Sequence, residues 1–169
     1  MSTALVANQS ESGWKRGQAD SLAADASEPT ASSLTPGQPG PYDRWVAAYS
    51  ELVKDHFSNP RNAGTMENPD GEGFVHNPVC GDRMRLWIHV KDDTIQEVRW
   101  QTKGCPAAIA TSSVTSELVR GWSLERVTAI TREEISAAIG GLPKDKVHCS
   151  VLAGDALRLA VADYRGRGK

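Results

Sequence analysis

Residues 84–90 alternate without a break: Met84, Leu86, Ile88 and Val90 fall on one side, and Arg85, Trp87 and His89 on the other. A period of two fits a strand with one face on a core and the other toward water, and it argues against a helix there. Lys91-Asp92-Asp93-Thr94 reads as a hairpin loop, and 95–102 as the return strand, with Val98 and Trp100 sharing a face. A further short strand over 73–76 precedes Asn77-Pro78. A sheet this small needs its apolar face covered, and the flanking sequence supplies helices to do it. Residues 43–58 carry Trp45, Tyr49, Leu52, Val53 and Phe57 near helical spacing and stop at Asn59-Pro60. Pro106 suits the first position of a second helix, with Cys105 as its cap, a stripe of Ala107, Ala110, Val114 and Leu118, and a stop at Arg120-Gly121. A short turn over 124–130 leads to Thr131-x-x-Glu134, a capping box whose helix ends at Gly140-Gly141. The last helix starts at Cys149-Ser150 and lines up Ala153, Leu157, Ala160, Val161 and Tyr164. The expected fold is therefore α+β: an N-terminal helix, a small antiparallel three-stranded sheet, and C-terminal helices packed on one face.

The first forty residues differ in kind. They hold seven Ser, seven Ala, three Pro and four Gly, and no period of two or 3.6 survives in them. Such a segment buries too little apolar area to offset its chain entropy. It has no continuous apolar run for a secretory signal, and it is too acidic for a mitochondrial presequence. Residues 1–41 are expected to be a disordered tail ending in a turn-rich linker, and 42–169 the folded domain. Lys and Arg total 19 against 21 Asp and Glu over the whole chain. That balance does not suit a nucleic-acid binder, no apolar run is long enough to span a bilayer, and a cytoplasmic location is expected.

Three cysteines, Cys80, Cys105 and Cys149, do not make a disulfide framework, and no two are close enough for a zinc-finger pair. Their positions are more informative than their number. Cys80 lies in Asn77-Pro78-Val79-Cys80-Gly81-Asp82, a turn before the clearest strand. Cys105 follows Gly104 between a strand and a helix, and Cys149 follows His148 at a helix start. Helix N-termini favour thiolates, and the thiolate is the form that binds metal or attacks sulfur. Cys80, Asp82, Cys105, His148 and Cys149 together offer three sulfurs, a carboxylate and an imidazole, a set that suits zinc or a [2Fe–2S] cluster. Scattered cysteines are more often unrelated and inert, so spacing alone leaves both readings open.

The stretches Tyr49-Ser50-Glu51-Leu52-Val53-Lys54-Asp55-His56-Phe57, Asn59-Pro60-Arg61-Asn62-Ala63-Gly64, Cys80-Gly81-Asp82, Lys103-Gly104-Cys105 with Ala108-Ile109-Ala110, and His148-Cys149-Ser150-Val151-Leu152 follow one another in order. In them the chain resembles the U-type iron–sulfur cluster scaffold family, the IscU proteins and the N-terminal scaffold domain of NifU, over about residues 44–166. The resemblance places the cluster cysteines on Cys80, Cys105 and Cys149, the family aspartate on Asp82 and its histidine on His148. It implies a scaffold, not an enzyme, that builds a labile [2Fe–2S] cluster from iron and desulfurase-derived sulfur and passes it to apo-acceptor or carrier proteins. A zinc-binding persulfide acceptor is the alternative, and an interaction module without metal a third class.

Three departures stand out. Pro106 replaces the family's glycine. Leu142-Pro143-Lys144-Asp145-Lys146 lacks the second proline of the segment that an Hsp70-type chaperone recognises. The additional cluster domains of full-length NifU have no counterpart in these 169 residues. The insertion and missing histidine of the zinc-dependent sulfurtransferase branch are both absent. Cys149 is the expected first persulfide acceptor: it opens a helix beside His148, Lys146 lies close by, and the family's favoured acceptor falls at this position. All three sulfurs are expected to be exposed to donor and acceptor proteins.

Overall fold

Asp92 and Asp93 both adopt positive φ, 51° and 53°. Two such residues in a row make a type I′ turn, whose twist matches that of the strands it joins. A computed structural model of the chain describes residues 47, 49–78 and 80–168. The tail and linker over 1–41, the Trp45 end of the first helix, and Val79 lie outside the described residues. The elements are α1 (Glu51–Ser58), β1 (Gly71–His76), β2 (Arg83–Lys91), β3 (Thr94–Lys103), α2 (Pro106–Leu118), α3 (Leu124–Thr128), α4 (Arg132–Ala138), a 3-10 turn (Lys144–Lys146) and α5 (His148–Gly166). The sheet is antiparallel in the order β1-β2-β3. The fold is α+β, with the helices against the sheet's inner face.

That inner face carries Met84, Leu86, Ile88 and Val98, all fully buried. A register shift between His89 and Val90 puts an extra residue into β3, so Ile95 also turns inward. Helix α5 lies directly on β1. A Cβ on Gly73 would come within 2.0 Å of the Ala156 carbonyl oxygen, and one on Gly71 within 2.2 Å of that of Ala160. Only glycine permits this approach. The Asp163 carboxylate accepts the Glu72 backbone N–H at 2.8 Å and so occupies a donor on the sheet edge. At the other edge, Ala63 bridges Trp100, and the Trp100 indole donates to the Arg61 carbonyl at 2.8 Å.

Three expectations need correction. The first helix does not run unbroken over 43–58. Ser50 is extended (φ −62°, ψ 158°), and its hydroxyl accepts the Val53 N–H, so it caps a helix that begins at Glu51. Helix α2 is not a one-sided stripe, since Thr111, Ser112, Ser113, Thr115 and Ser116 are buried along with its alanines. Four of these hydroxyls bond locally or to neighbours: Thr111 donates to the Ala107 carbonyl, Ser112 to that of Ala108 and Ser116 to that of Ser113, Thr102 pairs with Ser112, and Ser113 accepts the Arg61 N–H, whereas Thr115 Oγ1 has no partner. Trp87, on the outward face of β2, is only 7% exposed, flanked across the ladder by Glu72 and Arg99.

One buried histidine clasps α1 to α2. His56 is hydrogen-bonded through Nδ1 to the Ser113 hydroxyl at 2.8 Å, and the same hydroxyl accepts the Arg61 backbone N–H. Burial, followed by the nearby Arg61 charge, holds the imidazole pKa below its ordinary 6.5. A base whose pKa is lowered by folding favours the folded state when neutral. It costs stability as the unfolded chain takes up the proton first. The denaturation midpoint should therefore fall as pH drops below about 6.5, and His56→Gln should flatten that part of the profile. A midpoint independent of pH over this range in the wild-type chain contradicts the assignment.

Candidate metal centre

The antiparallel ladder fixes where the site forms. Arg83 pairs with His76 on one side and Lys103 on the other. The β1–β2 loop and the β3–α2 junction must therefore leave the sheet at the same end. The loop is closed by hydrogen bonds from the Gly81 N–H to the Asn77 carbonyl and from the Asn77 N–H to the Asp82 carbonyl, both 2.8 Å. Gly81 has φ 75°, which suits a glycine in this tight return. Cys80 rides exposed on the loop, while Asp82 is turned in and only 3% exposed.

Asp82 is the hub. Its Oδ1 accepts the Cys105 backbone N–H at 3.2 Å, and its Oδ2 lies 3.8 Å from the Cys105 sulfur. Gly104 makes room for this contact: a Cβ there would sit 2.7 Å from the Asp82 carboxylate. Cys105 is the extended N-cap residue of α2, with Pro106 at the first helical position. The start of α5 brings in the last two groups, and Cys149 Sγ lies 3.6 Å from Cys105 Sγ. Ligand atoms of Cys80, Asp82 and His148 lie within 4.8 Å of one another, as do those of Asp82, Cys105 and Cys149. All five candidate residues are thus gathered in two groups that share Asp82.

Donor chemistry and environment suit a metal. His148 Nε2 is fully buried and has no hydrogen-bond partner. A nitrogen left without a bond costs free energy, and an unmatched lone pair is what a metal ligand supplies. Three soft sulfurs with one carboxylate and one imidazole match zinc or iron better than magnesium or calcium.

The sulfurs differ from the expectation of three exposed thiols. Cys80 is exposed, Cys105 is half-buried and Cys149 is fully buried. The hydrogen bond from Cys149 brings the Cys105 thiol down to about 7, helped by the Ala108 amide and the Lys146 charge, against burial and Asp82. The same bond, then burial, pushes the Cys149 thiol well up. Loss of solvent first raises Cys80, with the Asp82 backbone N–H opposing and its carboxylate adding to the rise. Burial and a neighbouring sulfur act against the helix dipole at Cys149. Helix α5 also begins one residue earlier, at His148, without a side-chain cap. Sequence reasoning gave Lys146 to Cys149, whereas its charge acts on Cys105. The glycine before Cys105 is a legible sign of close approach, and the structure names the Asp82 carboxylate as what approaches.

No helix among the described residues is long and apolar enough to cross a membrane. The NifU-like N-terminal domain model matches residues 48–169. The chain is 55% identical over 122 residues to the iron–sulfur cluster assembly scaffold protein IscU 1 of Archaeoglobus fulgidus, covering 72% of this chain and 80% of that one. It is 47% identical over 124 residues to the scaffold protein IscU of Escherichia coli K12, covering 71% and 96%. The crystal structure of a nitrogen-fixing NifU-like protein (N-terminal) from Brucella abortus superposes with a TM-score of 0.58 at 18% identity, covering 71% of this chain and 96% of that one, a likeness of fold. With its sequence matched from residue 48 onward, the chain belongs to the family of NifU-like N-terminal domains, alongside the IscU proteins.

Proposed function

We propose that the chain is a scaffold on which a [2Fe–2S] cluster is assembled from iron and from sulfur delivered by a cysteine desulfurase, then passed to apo-acceptor proteins. The observation that carries this reading is the gathering of Cys80, Cys105, Cys149 and His148 around one buried carboxylate, Asp82. The names of the similar IscU proteins support it. The cluster is cargo here, and the chain a carrier and not an enzyme. Clusters meant to stay are held by four thiolates. Three thiolates with an oxygen or imidazole donor hold the cargo less firmly, which a donor of clusters requires. The exposed Cys80 offers acceptors a sulfur they can reach first.

A second reading keeps the site and changes the metal. Three cysteines with Asp82 or His148 complete a four-coordinate zinc site, and the orphaned His148 nitrogen suits it equally. The chain would then be a zinc-binding persulfide acceptor. After an extended Pro143 the chain turns into the 3-10 helix Lys144–Lys146, so an extended peptide ligand for an Hsp70-type chaperone is not preformed there.

Anaerobic reconstitution with ferrous iron, cysteine and a desulfurase separates the two. The scaffold should take up iron and sulfide and absorb in the visible region. Cys80→Ser, Cys105→Ser and Cys149→Ser should each lose that absorption while keeping the far-ultraviolet circular dichroism of the fold. Retained zinc with no bound iron favours the second reading, and full cluster occupancy in two of the three variants defeats the shared site.

Asp82 should set how long the cargo stays. A hard oxygen beside soft sulfurs exchanges readily. Loaded Asp82→Ala should pass its cluster to an apo-acceptor severalfold more slowly than wild type. An unchanged transfer rate contradicts this role.

A further inference from the structure

We propose that β1 is an open sheet edge on which a second copy of this chain docks, strand against strand, in antiparallel register about Phe74. The surface lies outside the five candidate ligands, and it holds whether the chain carries a cluster or zinc.

The sheet has two edges, and they are treated differently. Neighbouring chain takes up β3 at both ends. The Gly64 N–H donates to the Trp100 carbonyl at 2.9 Å and the Trp100 N–H to the Asn62 carbonyl at 3.4 Å, while the Ile95 N–H donates to the Trp122 carbonyl at 2.9 Å and the Ile95 carbonyl accepts the Gly121 N–H at 2.8 Å. At β1 the Asp163 carboxylate holds the Glu72 N–H, so the Glu72 backbone points away from β2. Strand alternation turns the N–H and C=O groups of Phe74 and His76 the same way. Among the described residues nothing accepts those two N–H groups. Gly71–His76 contains no lysine or proline, the usual guards of an edge, and its Phe74 is 45% exposed with the Arg85 guanidinium 5.4 Å from the ring centre.

Side chains along the edge select the partner. Acidic Asp70 and Glu72 lie at one end, and His76, paired with Arg83 of β2, lies at the other. Antiparallel pairing about Phe74 sets each Glu72 opposite the partner's His76 and brings the two Phe74 rings together at the axis. Aromatic pairs and unlike polar pairs are favourable across a ladder, whereas parallel pairing sets like ends together. Glu72 keeps its ion pair with Arg85 at 3.0 Å and gains an imidazole across the new ladder. In this register each Phe74 N–H reaches the partner's Phe74 carbonyl and each His76 N–H the partner's Glu72 carbonyl. The Glu72 donors stay with Asp163.

The two-fold axis stands perpendicular to the sheet, so the pair shares one antiparallel sheet with both helical layers on one side. Asn77 then lies opposite the partner's Gly71, and the two β1–β2 loops leave at opposite ends, about 20 Å apart along the strands. No metal is shared between copies, and each Cys80 stays open on its own loop. A six-residue edge with one aromatic pair falls at the small end of specific interfaces, so the pair forms and parts readily.

Sedimentation velocity of the full-length chain, with a reductant and a chelator present to exclude disulfide and metal bridges, should show a monomer–dimer equilibrium between micromolar and near-millimolar concentration. Phe74→Lys places a charge on each side of the axis and removes the aromatic pair, and it should weaken association by about tenfold or more while the far-ultraviolet circular dichroism is kept. Amide exchange followed by nuclear magnetic resonance gives the register: the Phe74 and His76 amides should slow as the wild-type concentration rises, and the Gly73 and Val75 amides, bonded to β2, should not change. A chain that stays monomeric at every concentration, a dimer that Phe74→Lys leaves intact, or a dimer that forms without slowing Phe74 and His76 overturns the proposal. So does protection of those two amides in the monomer, which would mean that another part of this chain covers the edge. Should the variant not fold, the wild-type exchange data decide.

Discussion

The short contact between the Asp82 carboxylate and the Cys105 amide holds the site together. It joins the β1–β2 loop to the start of α2, and it exists only because residue 104 has no Cβ to block it. The carboxylate is almost completely buried yet bonded to a backbone N–H, so its negative charge is compensated and held in one place. Everything else at the site is arranged around that fixed charge. Cys80 and His148 form one group with it, and Cys105 and Cys149 another.

The rest of the fold supplies a rigid base for an otherwise loop-built site. Helix α2 is buried on nearly every side, and its hydroxyls bind carbonyls, Thr102, His56 and the Arg61 amide. A helix tied down in this way fixes Cys105 at its N-terminus. Helix α5 is pressed onto β1 through Gly71 and Gly73, which sets the height at which His148 and Cys149 meet the sheet end. The three sulfurs are graded in depth from the exposed Cys80 to the buried Cys149. Such a gradient suits cargo that must be received, completed out of solvent and surrendered again.

Much of this was legible in the sequence because the signals were local. The strand over 84–90, the Asp92-Asp93 turn, Pro106 after Cys105, and the Thr131–Glu134 capping box each rest on signals within a few residues, and each appears as expected. What escaped depends on contacts distant in the chain. Ser50 reads as part of a helical run until its hydroxyl is seen to cap Glu51–Ser58 and to bond the Ile139 carbonyl. The stripe of Ala107, Ala110, Val114 and Leu118 in α2 leaves out the serines and threonines between them, which tertiary packing also buries. At the site, the five candidate residues could be named from their element ends and from family resemblance. Their depth could not, because the burial of Cys149 comes from packing between α2, α5 and the sheet, and not from its neighbours in sequence.

If Cys80, Cys105 and Cys149 share one site with Asp82 or His148, three sulfurs and a lighter donor converge on one metal. X-ray absorption spectroscopy of the full-length chain loaded with a single equivalent of zinc reads this directly. The account predicts three sulfur neighbours at about 2.3 Å and one nitrogen or oxygen at about 2.0–2.1 Å. A metal surrounded by two or fewer sulfurs, with the remaining cysteines free to react with a thiol reagent, would contradict it.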